Sequence, residues 1–198
     1  MLVSASRLIG TPILSMQSAS AIGYIAATIV DPETFKIIAF RLDGRAINST
    51  NEILDTKSIR EYSSLGCVID SINELVSATD IVKISKVLNL KFNLIGLKVE
   101  TKKGTKLGRI IDYTATPDNF TVQQIIVKRP LVKSFSDPEL TIPRKEIVEV
   151  TDTKIIVKDE EKTIRERAMK EDFIPNFVNP FRKTESASAH VDTEEPES

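Results

Sequence analysis

Few residues of this chain have the types that catalyse reactions or hold metal ions. Its 198 residues include a single cysteine, Cys67, and a single histidine, His190. These counts exclude an intramolecular disulfide, a multi-cysteine zinc site and a site built on several histidines. Cys67 lies in the apolar run Cys67-Val68-Ile69, which predicts a buried structural thiol.

Acidic side chains offer the remaining route to catalysis. Paired carboxylates such as Glu160 and Glu161, or Asp112 and Asp118, could act as a general acid and base. Asp and Glu are common on protein surfaces, however, and no pattern in the sequence places two of them across a cleft. We therefore predict a protein that is not an enzyme, with no metal site and no cofactor.

A lysine-rich turn is the second candidate for chemistry. The stretch LIGLKVETKKGTKLGRIIDY joins two apolar runs through Lys102-Lys103-Gly104. A phosphate-binding P-loop needs the pattern G-x-x-x-x-G-K-[ST] between a strand and a helix. Gly104 and Gly108 lack that spacing, and a second strand-like run follows them. The stretch therefore predicts a β-hairpin, with Gly104 in the turn and Gly108 at a bulge or a close backbone approach.

Basic residues collect around this hairpin. Residues 1–90 carry a net charge of −1, residues 91–158 carry +5 and residues 159–198 carry −5. Such blocks are typical of partner-facing surfaces. The candidate partner-binding basic patch consists of Lys98, Lys102, Lys103, Lys106, Arg109, Lys128, Arg129 and Lys133.

Two interpretations of this patch stay open. Clustered cations would attract phosphate or an acidic protein surface. Alternatively, they are solvated strand faces and edge lysines that discourage aggregation. Tyr113 and Phe120 are predicted to lie in the core, so the patch lacks exposed aromatic residues for base stacking, which argues against direct nucleic-acid contact.

The elements that position these residues occur twice. A shift of 85 residues places Gly23 on Gly108 and Pro32 on Pro117. The same shift matches apolar residues in order: Leu14 with Val99, Ile22 with Leu107, Ile25 with Ile110, Phe35 with Phe120, Ile37 with Val122, Phe40 with Ile125 and Leu42 with Val127. A shift of 88 then matches Lys57 with Lys145, Ile59 with Ile147, and Val68-Ile69 with Ile156-Val157.

The second copy shows the residue pattern of a half-buried strand. Leu97, Val99 and Thr101 alternate with polar residues, a period of two that places apolar side chains on one face. Many such short strands with turn residues between them indicate a small barrel or sandwich.

Both copies resemble the PRC-barrel family. The resemblance rests on VSASRLIGTPILS and Ile22-Gly23-Tyr24-Ile25 in the first copy. In the second it rests on LIGLKVETKKGTKLGRIIDYTATPDNFTVQQIIV, LTIPRKEIVEV and KIIVKD. The first copy departs where Ala19 replaces Gly104 and where Leu54-Asp55 replaces an Ile-Pro pair. Members of this family include the H subunit of photosynthetic reaction centres and the C-terminal domain of ribosome maturation factors.

The resemblance implies an all-β chain of two tandem small PRC-type β-barrels, at residues 1–70 and 91–158. Residues 71–90 are predicted to form an ordered connector, and residues 159–182 a short helix followed by an aromatic and proline-rich strap from Phe173 to Phe181. Residues 183–198 have the composition of a disordered acidic tail.

The functional expectation is a cytoplasmic adaptor that binds a protein or a ribonucleoprotein, such as a ribosomal one, in ribosome assembly or RNA metabolism. The alternative is a structural subunit that docks on a membrane-associated complex, as the reaction-centre H subunit does. No apolar run approaches the roughly 20 residues that span a bilayer. The sequence leaves the oligomeric state open.

Overall fold

The computed structural model describes residues 2–47, 52–63, 65–130 and 138–159. Lys133, Glu160, Glu161, His190, the predicted strap and the predicted acidic tail lie outside the described residues. The strands are β1 (Val3–Ser4), β2 (Pro12–Ser15), β3 (Ser20–Asp31), β4 (Lys36–Asp43), β5 (Glu52–Asp55), β6 (Glu61–Ser63), β7 (Gly66–Ile69), β8 (Leu75–Ser77), β9 (Lys98–Thr101), β10 (Lys106–Ala115), β11 (Val122–Lys128), β12 (Glu139–Pro143), β13 (Ile147–Val150) and β14 (Lys154–Val157). Two α-helices accompany them in this part of the chain, α1 (Ala5–Leu8) and α2 (Val82–Asn89). The prediction of a mostly β fold is confirmed.

The strands form two sheets, one for each copy of the repeat. The first has the order β6-β7-β2-β3-β4-β5-β8; the second has the order β12-β11-β10-β9-β14-β13, with β1 added beside β10. Strands pair antiparallel except β2 with β7 and β9 with β14, which are parallel. Among the described residues, no pairing joins the two end strands of either sheet. Closure into barrels stays a prediction.

Equivalent elements recur along the chain. Strands β7 and β14 begin 88 residues apart, as do the 3₁₀ turns Thr56–Ser58 and Arg144–Glu146. One predicted match is wrong: Ile13, not Leu14, corresponds to Val99, because Ile13 pairs with Gly23 and Val99 pairs with Gly108. The first turn is one residue longer than the second. A one-residue slip moves every side chain to the other face of a strand. The corrected match makes Ile13 and Val99 equivalent, and both side chains are fully buried.

The lysine-rich turn is a β-hairpin between β9 and β10, as predicted. Leu97, Val99 and Thr101 are buried, whereas Lys98 and Lys102 are exposed, so the alternation is confirmed. Gly104 has a φ of +81°, a left-handed conformation that suits glycine. Ala19, its counterpart in the first copy, has a φ of +48°. The chain thus keeps the turn geometry there in spite of a Cβ that disfavours it.

Residues 85 positions apart meet where the two sheets contact each other. The Ile37 N–H donates to the Phe120 carbonyl at 2.9 Å, and the Val122 N–H donates to the Phe35 carbonyl at 3.0 Å. An internal pseudo-two-fold axis relates these two hydrogen bonds to each other, because Ile37 is equivalent to Val122 and Phe35 is equivalent to Phe120. The contact therefore has the self-complementary form of a symmetric dimer interface inside a single chain.

Two hydroxyl groups lie close to this axis. Thr28 and Tyr113 are also 85 residues apart, and the Thr28 Oγ1 lies 2.6 Å from the Tyr113 hydroxyl oxygen. Burial raises the pKa of Tyr113 to about 12, so its hydroxyl stays protonated and available for this bond at neutral pH.

One hydrophobic core draws residues from both copies. Its members run from Val3 to Val157, and the Phe40 and Phe120 rings meet edge to face with centroids 5.3 Å apart. Residues 1–160 form one compact unit. The predicted boundaries at residues 70 and 90 stay a prediction.

The predicted connector contains secondary structure of its own. Residues Ile72–Glu74 form a 3₁₀ turn, β8 pairs with β5, and helix α2 follows. Ile84 and Val87 of α2 pack against Ala39 and Ile53 on the first sheet, forming a second, smaller apolar cluster.

A buried carboxylate lies beside this helix. The side chain of Asp31 is 2% exposed and accepts hydrogen bonds from the Glu33 N–H and the Thr34 hydroxyl, with the Lys83 Nζ 3.0 Å away. Burial by itself raises the pKa of Asp31, but the hydrogen bonds from Thr34, Lys83 and Glu33 outweigh it. The pKa is therefore lowered from its ordinary value.

Replacing Asp31 by asparagine is expected to lower the free energy of unfolding by about 2 kcal/mol at neutral pH, through loss of charge-assisted hydrogen bonds. Because the folded pKa is depressed, the carboxylate contributes its stability above its unfolded pKa of about 3.9 and loses it as pH falls through the folded value. Urea unfolding at a series of pH values gives the free energies of unfolding of wild type and Asp31→Asn. Their difference should be constant down to about pH 5 and shrink below about pH 4. If the difference in the free energy of unfolding is the same at neutral pH and below about pH 4, the ionised Asp31 carboxylate is not what stabilises the fold. Asp118→Asn, at an exposed carboxylate in the matching turn of the second copy, is the control.

Candidate partner-binding surface

Three of the predicted basic residues form a row across the middle of the second sheet. Lys98 of β9 pairs directly with Arg109 of β10, which pairs on its other side with Lys128 of β11. All three side chains are exposed, whereas Val99, Ile110 and Val127 beside them are buried. Directly paired residues share a face of a sheet. Lys98, Arg109 and Lys128 therefore point outward together, and we call them the basic row.

A glycine bulge shapes the surface at this row. The β10 register shifts between Lys106 and Gly108, and Gly108 has a φ of +145°. A Cβ on Gly108 would overlap the Lys128 carbonyl oxygen, so only glycine lets β10 approach β11 this closely. The result is a shallow groove of about 300 Å³. Its lining includes Lys98, Lys106 and Arg109.

The basic row carries little internal neutralisation. The Arg109 Nη1 donates to the Gly96 carbonyl at 2.9 Å, which fixes the guanidinium but leaves its charge. Within the described residues, neither Lys98 nor Lys128 makes an ion pair. Like charges that face each other across strands destabilise a sheet. The row is thus a local cost to the fold, which contact with an anionic partner would relieve.

Acidic residues limit the basic row at both ends. On the β14 side the next residue across is Lys154, whose Nζ lies 3.2 Å from the Glu100 carboxylate. On the β12 side Lys128 pairs with Glu139. The unneutralised stretch is therefore three strands wide.

The remaining predicted residues do not join the row. Lys102 and Lys103 are exposed in the hairpin turn, at the far end of β9 from Lys98. Lys106 is exposed opposite Glu100 and reaches the groove. Arg129 follows β11 and is half-buried. The sequence predicted one basic patch around the hairpin, and the structure separates its described residues into a row, a groove and a turn.

The first copy has no cations at the equivalent positions. Lys98, Arg109 and Lys128 correspond there to Pro12, Tyr24 and Asp43, which pair with one another in the same register. The Tyr24 hydroxyl donates to the Asp43 carboxylate at 3.2 Å, and this hydrogen bond raises the pKa of Tyr24. The fold therefore does not require basic residues at this place.

Asp112 and Cys67 have structural roles. Asp112 accepts hydrogen bonds from the Ser6 N–H at 3.2 Å and from the Ser6 hydroxyl at 2.7 Å, tying the N-terminal segment to β10. Cys67 is fully buried, and burial raises the pKa of its thiol to about 12, which confirms the prediction of a structural thiol. No group of three or more potential metal-ligating side chains occurs among the described residues.

Sequence reasoning missed a cavity in the described part of the chain. It has a volume of about 590 Å³ and is lined by residues from the N-terminal segment, β6 and a turn of the second copy, including Leu2, Arg7, Ile9, Tyr62 and Pro117. No local pattern identifies it, because these residues come together only when the two copies pack.

Comparison of the chain with models of known protein families gives no match, and comparison with curated proteins gives none either. As far as the structure describes the chain, it contains no helix long and apolar enough to cross a membrane.

Proposed function

We propose that this protein is a non-catalytic adaptor made of two PRC-barrel-type repeats, and that it binds a protein or a ribonucleoprotein through the basic face of its second repeat. Ribosome assembly or RNA metabolism is the setting that the family resemblance implies. Docking on a membrane-associated complex, the other hypothesis, is supported by the resemblance alone.

The observation that carries the proposal is the asymmetry between equivalent positions. At three directly paired positions of the same register, the second sheet has adjacent exposed cations, whereas the first has Pro12, Tyr24 and Asp43. Folding explains the shared apolar residues of the two copies but not this difference. An external anionic surface supplies the explanation, since complementary charge speeds association and selects the partner.

Charge reversal of the hairpin turn tests the ribosomal setting. The variant Lys102→Glu/Lys103→Glu/Lys106→Glu should weaken co-sedimentation with ribosomes about tenfold, because exposed charges at an interface contribute of order 0.5 kcal/mol each and reversal adds repulsion. Its thermal unfolding should shift only slightly, since all three side chains are exposed and the one new like-charge pair, between position 106 and Glu100 across the strands, costs about 1 kcal/mol or less. Co-sedimentation at two salt concentrations, followed by immunoblotting, gives the measurement.

A matched variant controls for net charge. Arg45→Glu/Lys57→Glu/Lys86→Glu makes the same change at exposed cations of the first copy and helix α2, and should sediment like wild type. If the hairpin variant also sediments like wild type, the ribosomal setting is rejected. A membrane-fraction signal that the hairpin variant loses would favour the alternative function.

A further inference from the structure

We infer that the basic row binds an acidic α-helix of a partner protein, lying across strands β9, β10 and β11. This inference rests on the proposed function and names the chemistry of the partner. The helix would present carboxylates on one face to Lys98, Arg109 and Lys128.

The spacing of the row favours a helix. Neighbouring strands are about 4.8 Å apart, so three directly paired residues span about 10 Å. Carboxylates at positions i, i+4 and i+7 of a helix lie on one face and span about 10.5 Å along its axis, at a rise of about 1.5 Å per residue. Alternate residues of an extended strand advance about 6.7 Å, so three of them span about 13 Å and overshoot the row.

The strand pairing excludes a common alternative for extended peptides. A peptide that adds to a sheet needs an unpaired edge strand. Each of β9, β10 and β11 already has a neighbour on both sides. A partner can therefore reach the row only through side chains, as a helix lying on the sheet face would.

Two observations disfavour nucleic acid at this row. Single-stranded nucleic acid is bound by basic grooves that carry exposed aromatic rings for stacking. The only large aromatic residue among the exposed apolar side chains of the described chain is Tyr24, which is in the first copy and bonded to Asp43. A phosphate backbone that continued beyond the row would also meet Glu139 on one side and the Glu100–Lys154 pair on the other. The row suits a short acidic element.

Synthetic peptides test the inference on the full chain. The probe is a fluorescently labelled, alanine-based helical peptide with glutamates at i, i+4, i+7 and i+11, and its isomer has the same composition with the glutamates distributed around the helix. Anisotropy titration at low salt should give at least about tenfold tighter binding of the one-faced peptide. Lys98→Glu/Arg109→Glu/Lys128→Glu should abolish that difference, whereas Arg45→Glu/Lys57→Glu/Lys86→Glu should keep it.

A second variant guards against misfolding. Lys98→Glu/Lys128→Glu leaves the Arg109 bond to Gly96 in place, and it should lose most of the preference while unfolding at or above the wild-type temperature, because Arg109 then faces opposite charges on both neighbouring strands. Equal binding of the two peptides overturns the inference. Tighter binding of a single-stranded RNA 20-mer, lost in the same variants, overturns it in favour of nucleic acid.

Failure of the helix inference can be told from failure of the adaptor function. If neither peptide binds but capture of native partners is still lost in the row variants, the acidic helix is rejected and the adaptor function stands. If the row and hairpin variants capture the same partners as wild type, the acidic helix and the adaptor function are both rejected.

Discussion

Gly108→Ala is expected to destabilise the fold by about 4 kcal/mol, one of the largest single-residue effects in this chain. A Cβ at this position would overlap the Lys128 carbonyl oxygen and lie 2.8 Å from its carbonyl carbon. Both atoms belong to backbone in the middle of a sheet, so neither can move without separating β10 from β11. The φ of +145° adds strain for any residue with a side chain. Urea unfolding followed by circular dichroism measures the loss.

The expected order of three glycine variants makes this prediction specific. Gly104→Ala also places a side chain at positive φ, but its Cβ would have nothing within 4 Å, so it should cost only about 1 kcal/mol. Gly23→Ala, equivalent to Gly108 in the first copy, would place its Cβ 2.7 Å from the Asp43 carbonyl oxygen and should fall between the two. If Gly104→Ala and Gly108→Ala cost the same, the close approach of the strands is not what requires glycine.

Local chemistry in the sequence predicts most of the strands. The period of two in Leu97, Val99 and Thr101, and the glycine at the hairpin turn, are properties of adjacent residues, and both are confirmed. The starts of β4 and β11 are less predictable: Phe35 and Phe120 have φ values of +55° and +52° and end the preceding turns, so the two strands begin after them. Positive φ is rare for bulky residues, and nothing in composition indicates it.

Long-range geometry limits what the sequence predicts about the surface. The parallel pairing of β9 with β14 depends on how the sheet folds back, so the ion pair of Lys154 with Glu100, 54 residues away, has no local signal. Which of the eight predicted cations share a row depends on the register of three strands, and a one-residue bulge at Gly108 changes it. The basic character of the region was therefore predictable, whereas the width of the row and its acidic limits were not.

The shared core leads to the second large prediction, which concerns unfolding of the whole chain. Ile155→Ala, in the second copy, should destabilise the first copy as well, by about 3 kcal/mol, because Ile155 is fully buried in a core to which both copies contribute. Cys67 occupies the equivalent position in the first copy, 88 residues earlier, and it is the only thiol in the chain. Its labelling by a thiol reagent reports opening of the first sheet.

In the folded chain, the thiol of Cys67 is buried and stays protonated, since burial raises its pKa to about 12, so it can react only when the sheet opens. A cooperative unit that loses about 3 kcal/mol should expose Cys67 roughly 150-fold more often, and the labelling rate should rise by the same factor. Val148→Ala, at a half-exposed residue of the neighbouring β13, should change neither stability nor labelling. If Ile155→Ala lowers stability in a separate transition while Cys67 labels at the wild-type rate, the two copies unfold independently. That result would support the two-domain division predicted from the sequence and would show that the contacts along the pseudo-two-fold axis join two self-sufficient domains.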